Sequence, residues 1–284
     1  MKRRIMFVVK NILKIFAPAG LAAAITAAAL SAVSCSVKED RDVCPAYLTV
    51  RSDGHVGEDG FTADLRYVVT PTFGNDPRQG DGTLEEFTSE GRTFRVPRKK
   101  TVNVEVYAGL SDMTITDTLL RITPGKPCDA FLCGSGSAWL PADLGDMPLP
   151  LNRNYAAVTA TVVGDVYYPY PYAFVVKGGV DGFVIPGLQP HRGTFEHRAL
   201  LGVGDCFRSR VPRQLDSSLQ VELRTIDTDE LVTVIPLGAL VAERGYDWNA
   251  ADLEDIELEL DFARAMVTIY VNDWVIRSTL LVVI

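Results

Sequence analysis

Along most of the chain apolar side chains recur at every second position, the spacing of a strand with one buried face. Phe61, Ala63, Leu65, Tyr67 and Val69 alternate with Thr62, Asp64, Arg66 and Val68, and Val102, Val104 and Val106 with Asn103, Glu105 and Tyr107. The rhythm returns at Ala156, Val158, Ala160 and Val162, and again at Leu219, Val221 and Leu223. It is clearest at Ile256, Leu258, Leu260 and Phe262, where the intervening positions are Glu257, Glu259 and Asp261. Past Ala263 the apolar set becomes Val267, Ile269 and Val271. That change of parity requires a bulge or turn near residues 263–265, because a one-residue slip sends every side chain to the other face. No run fits a 3.6-residue period, and only short helical turns are expected, near 84–87 and 237–244. Many short strands bounded by Gly, Pro, Asn or Asp predict an all-β chain of antiparallel β-sandwiches. The stretch 140–154, with Pro141, Gly145, Pro148 and Pro150, marks a junction between a domain at 45–150 and a second at 151–284.

The N-terminus breaks this pattern. Residues 1–34 carry Lys2, Arg3, Arg4, Lys10 and Lys14 and no acid, followed by an uncharged, Ala-rich run. A basic start, an apolar middle and small residues at the end form a secretory signal, and Pro18 with Gly20 spoils the run as a permanent transmembrane helix. It ends Ala32-Val33-Ser34-Cys35, which resembles the lipobox of bacterial lipoproteins, with Ala32 where Leu is usual. On that resemblance Cys35 is the acylated first residue of the mature chain and 35–44 is a lipidated tether. A cleaved signal that leaves Cys35 an ordinary thiol is the alternative, and a membrane-spanning anchor a third. Lys38-Glu39-Asp40 resembles the surface-export tag of Bacteroidetes lipoproteins, which implies an outer-membrane address facing outward.

Charge and chemistry narrow the function by exclusion. The chain has 28 basic and 36 acidic residues; losing the five basic residues of the leader deepens the net charge from −8 to −13. Such a surface repels phosphate backbones, so nucleic acid is not an expected partner. There is no P-loop, GxSxG elbow or HExxH, and Gly134-Ser135-Gly136-Ser137 reads as a flexible turn. His191 and His197 read as exposed loop residues, His55 is not placed with the cysteines, and no metal site, cofactor or enzymatic activity is expected. With Cys35 acylated, Cys44, Cys128, Cys133 and Cys206 remain; Cys128 and Cys133 are close enough to bridge a tight turn, and free buried thiols are the alternative. Tyr167-Tyr168-Pro169-Tyr170-Pro171-Tyr172 is suited either to stacking on sugar rings or to packing on its own domain.

The last residues, 275–284, hold one charge, Arg277, and are rich in β-branched side chains. Such a segment is an excellent strand and a hazard if left unpaired. It is either the final strand of its own sheet or a strand donated to a partner through Val275, Ile276, Leu280, Val282 and Ile284.

Several stretches together carry a family resemblance. Gly245-Tyr246-Asp247-Trp248-Asn249, Leu253 to Ile256, Leu260 to Arg264 and Val267 to Trp274 resemble the C-terminal signature of FimB-like fimbrial anchor subunits of Bacteroidales. Arg210-Val211-Pro212-Arg213-Gln214, Ser218 to Leu223, Ile235-Pro236-Leu237-Gly238, and Cys35 with Cys44-Pro45 fit the same family, whereas the middle of the first domain matches less clearly. The resemblance implies two transthyretin-like sandwiches and a lipoprotein that anchors a fimbrium to the outer membrane and pairs with a pilin subunit, with cell adhesion as the wider role. Many such anchors carry a longer tail after the final Trp than this chain does. The alternative function is a surface lipoprotein that binds glycan or another ligand through residues 167–172. A mass spectrum of the mature N-terminal peptide checks the first step: Cys35 should carry a diacylglyceryl group and an N-acyl chain, and a bare N-terminal residue rules the lipoprotein out.

Overall fold

The structure is a computed structural model that describes residues 41, 43–52, 64–74, 76, 78–116, 118–164, 170–185, 187–201, 206–272 and 274–279. The leader, Cys35, the 38–40 tag, His55, Tyr167, Tyr168, Pro169, Leu280, Val282 and Ile284 lie outside these residues. Residues 45–284 form one compact unit.

In chain order the first part runs β1 (Pro45–Arg51), β2 (Asp64–Thr70), β3 (Gln79–Thr83), α1 (Leu84–Ser89), β4 (Arg92–Pro97), β5 (Thr101–Ala108), β6 (Thr114–Ile115), β7 (Leu119–Arg121), β8 (Leu132–Trp139), β9 (Leu144–Pro148) and β10 (Asn152–Arg153). The rest runs β11 (Tyr155–Val163), β12 (Tyr172–Val184), β13 (Gln189–Leu200), β14 (Cys206–Pro212), β15 (Gln220–Thr225), β16 (Leu231–Ile235), α2 (Leu237–Ala242), β17 (Ile256–Asp261), β18 (Met266–Val271) and β19 (Trp274–Thr279). The chain is mostly β, as the two-residue periodicity requires, and among the described residues two short helices lie where expected.

Two sheets enclose the first core. One is ordered β4-β1-β9 and the other β10-β8-β5-β2-β3. Ala46, Leu48 and Val50 on β1 face Leu65, Tyr67 and Val69 on β2 and Val102, Val104 and Val106 on β5, all buried in one cluster. Tyr67, Phe87 and Phe94 close it, with ring centroids 5.1 to 6.4 Å apart. Thr83 and Glu86 cap α1 reciprocally, satisfying two orphan N–H groups at its start.

The second core lies between a sheet ordered β14-β11-β17-β18-β19 and one ordered β16-β15-β12-β7-β6, with β13 on the other edge of β12. Here β6 and β7 come from the first half of the sequence. After β5 the chain leaves its own sheet, pairs Leu119, Leu120 and Arg121 with Val184, Phe183 and Gly182, and returns as β8. Gly182 permits this approach, since a Cβ there would sit 2.4 Å from the Leu120 carbonyl oxygen. The second core accordingly includes Tyr107, Met113, Leu120 and Phe131.

The tetrad 134–137 is a correction to the sequence expectation. It lies inside β8, paired with residues 103–106 of β5, and is not a turn. A Cβ at Gly134 would approach the Pro150 carbonyl oxygen to 2.4 Å, so glycine is required by packing rather than by flexibility.

The crossover is held by a buried carboxylate. Asp129 accepts from the backbone N–H groups of Ser111, Asp112 and Met113 at 2.8 to 3.2 Å and from the Ser111 hydroxyl at 2.9 Å. Asp129→Ala should leave those donors without a partner and lower stability by about 3 kcal/mol. A urea titration checks this; a shift within error means that water replaces the carboxylate.

Candidate interaction edge

The parity change between β17 and β18 is resolved by a four-residue turn. Asp261 pairs with Met266, and the Ala265 N–H donates to the Phe262 carbonyl at 3.2 Å with Ala265 at φ 51°. This is the turn that the apolar pattern demands near 263–265. β18 then folds back on β19, with Asn272 at φ 46°, a conformation Asn tolerates better than most residues.

β19 pairs with β18 along its whole length, Trp274 opposite Val271 and Thr279 opposite Met266. Its inward face carries Ile276, 4% exposed, against Ile269, and its outward face carries Val275, 48% exposed. Through Thr279, therefore, the C-terminal segment is a strand of its own sheet. The candidate donor residues divide accordingly: Ile276 lies in the second core, Val275 faces solvent, and Leu280, Val282 and Ile284 are outside the described residues. Among the described residues β19 ends the sheet order. An antiparallel strand bonds one neighbour through alternate residues, so the remaining N–H and C=O groups of β19 point away from β18. That row is what a partner strand needs.

The other candidates take up structural positions. Cys128 and Cys133 are separate buried thiols rather than a bridge, and Cys44 and Cys206 are also free. Burial pushes the Cys133 thiol up to about 12 and raises Cys128 as well, so neither is a ready nucleophile. His191 and His197 are not loop residues. Both lie on β13, where His191 Nδ1 meets Asp181 at 2.7 Å and His197 Nδ1 meets the Ser209 hydroxyl at 2.8 Å. Burial lowers the affinity of His197 for a proton, and Arg210 and Lys126 add to this. Tyr170 and Tyr172 pack on the second core, with Tyr170 stacked on Phe174 at 6.5 Å.

The stretches that carry the family resemblance act as internal braces. Arg213 Nε donates to Asn154 at 2.9 Å and Arg213 Nη2 to the Ala251 carbonyl at 3.2 Å, with a further bond to Trp248. Asp255 accepts from the Ala157 N–H at 2.9 Å, and the Tyr246 hydroxyl donates to the Glu254 carbonyl at 2.6 Å. A cleft of about 350 Å³ beside Asn154, Gln189, Arg213 and Gln214 is lined by polar groups, several of them already engaged in these bonds.

No protein-family model matches the sequence, and no curated protein does. Solved structures do match in fold. The fimbrial anchor protein Mfa2 from Porphyromonas gingivalis superposes with a TM-score of 0.56 at 11% identity, covering 83% of this chain and 100% of that one. A Bacteroides thetaiotaomicron protein provisionally assigned to polysaccharide binding reaches 0.60 at 14% identity, covering 83% and 98%. A provisional adhesin from the same species reaches 0.55 at 14%, covering 82% and 98%. The chain thus shares the β-sandwich fold of surface adhesion and fimbrial proteins of Bacteroidales, in keeping with the resemblance seen in its motifs.

The two faces of β19 give opposite expectations. Ile276→Ala should cost about 2–4 kcal/mol, as for a buried aliphatic side chain, whereas Val275→Ala should stay within about 0.5 kcal/mol. Equal effects in thermal unfolding count against β19 as an integral strand.

Proposed function

We propose that this protein is a surface lipoprotein that anchors a fimbrium to the outer membrane, held by an acyl group on Cys35 and joined to a pilin subunit by backbone pairing through its C-terminal segment, β19 together with residues 280–284. The observation that carries the proposal is the fold shared with a fimbrial anchor over that protein's whole length, downstream of a lipobox-like Cys35. The mechanism asks for no catalysis. It needs a covalent grip on the membrane at one end and an unpaired strand edge at the other, and β19 supplies that edge while Ile276 keeps it seated in its own sheet. In the sequence, Leu280, Val282 and Ile284 share the parity of Ile276, and these are the side chains the proposal assigns to a partner groove. On this proposal residues 45–150 and 151–284 are two sandwich domains, the first lending β6 and β7 to the second, that act as one rigid spacer.

The glycan-binding alternative draws on the fold shared with a provisional polysaccharide-binding protein. Its expected contact is weakened by Tyr170 and Tyr172, which pack on the core rather than standing free.

Truncation after Thr279 keeps β19 and its buried Ile276 and removes only the row beyond. The shortened lipoprotein should reach the surface in normal amount while fimbriae are lost from the cell; unchanged fimbriae on immunogold microscopy defeat the donor-strand part. Cys35→Ala should move both protein and fimbriae into the medium, and continued attachment defeats the anchor part.

A further inference from the structure

At one end of the first sandwich, three segments meet where the described strands begin. The β4–β5 turn carries Arg98, Lys99 and Lys100, the β8–β9 corner runs from Leu140 to Leu144, and β1 starts at Pro45 opposite Pro97. They are stitched together by the Lys99 N–H on the Leu140 carbonyl at 2.7 Å, the Leu140 N–H on the Lys100 carbonyl at 3.4 Å and the Tyr47 N–H on the Asp143 carbonyl at 2.9 Å. The side chains on this tip are unusual for so acidic a chain. Trp139 is 58% exposed, Leu144 75% and Tyr47 41%, on positions where a strand facing water ordinarily carries polar residues. Tyr47 and Leu144 are cross-strand neighbours on one sheet, and Trp139, opposite Thr101, lies on the other. Lys99 and Lys100 in the β4–β5 turn are exposed, and Arg95 lies beside Tyr47. The Asp143 carboxylate there is already bonded to Arg98.

We propose that this tip is a membrane-contact surface, which seats the first sandwich end-on against the bilayer that holds the lipid. The inference rests on the lipoprotein reading of Cys35. Fully extended, the segment from Cys35 to Pro45 reaches at most about 35 Å, so the acyl group keeps this end of the strands close to the headgroups. Trp and Tyr favour the boundary between headgroups and acyl chains, and lysines beside them meet anionic headgroups. The net charge of −13 left once the five basic residues of the leader are removed would otherwise push the protein away from an anionic leaflet, and the basic tip offsets that repulsion where contact occurs. Seating fixes orientation: the strand axes stand away from the membrane.

The test uses lipidated protein from its own cells, reconstituted into phosphatidylcholine vesicles with a phosphatidylglycerol fraction and brominated acyl chains. Tryptophan emission should be quenched, and Trp139→Phe should remove most of that quenching, leaving Trp248 and Trp274 unaffected. Lys99→Glu combined with Lys100→Glu should weaken quenching in vesicles containing phosphatidylglycerol and leave it unchanged in pure phosphatidylcholine. Leu144→Ser, at an exposed position that the core does not use, should reduce quenching independently. Equal quenching in wild type and Trp139→Phe, or none in wild type, overturns the contact surface while leaving the tether intact. A mass spectrum without acyl chains on Cys35 overturns the tether and this inference together.

Discussion

The pairing of Leu119–Arg121 with Gly182–Val184 is the contact on which the rest of the architecture depends. It takes a short piece of chain out of one sandwich and makes it part of the other. β12 is thereby held along both edges, by β13 on one side and by β15 and then β7 on the other. Two sandwiches joined by a simple linker would be free to hinge. Here a main-chain ladder joins them, and bending at the junction would break hydrogen bonds as well as expose Leu120 and Phe183.

The buried polar groups reinforce this link rather than forming a reactive centre. Asp129 clamps the loop that leads into the crossover. Glu105, on β5, accepts from the Tyr107 hydroxyl and, at 2.7 Å, from the Gly187 N–H in the connection between β12 and β13. Burial and the neighbouring Glu105 carboxylate hold the Tyr107 hydroxyl well above its usual range, so it remains a donor at any physiological pH. Arg213 gathers carbonyl oxygens from Trp248 and Ala251. Each of these groups would be costly to leave unpaired in the interior, and Asp129, Glu105 and Arg213 have partners supplied by other segments of the chain.

Much of the fold was legible in the sequence. The alternation at Val102, Val104 and Val106 and at Ile256, Leu258 and Leu260 determined strands with one buried face, because a period of two leaves no other regular structure that hides those side chains together. The shift of parity at Ala263 to Ala265 determined a turn for the same reason. The cationic, then apolar, then small-residue order ahead of Cys35 belongs to the sequence alone. Tertiary structure decided what depends on distant neighbours. It placed Gly134 to Ser137 in a strand paired with β5, where the close passage of Pro150, invisible to local composition, excludes a Cβ at position 134. It put His191 and His197 on β13 against Asp181 and Ser209, and kept Cys128 and Cys133 as separate buried thiols. It also divided the C-terminal segment, turning Ile276 into the core and Val275 outward. Local pattern sets which faces of a strand are apolar, but only the packed sheets settle which edge stays open and what each face meets.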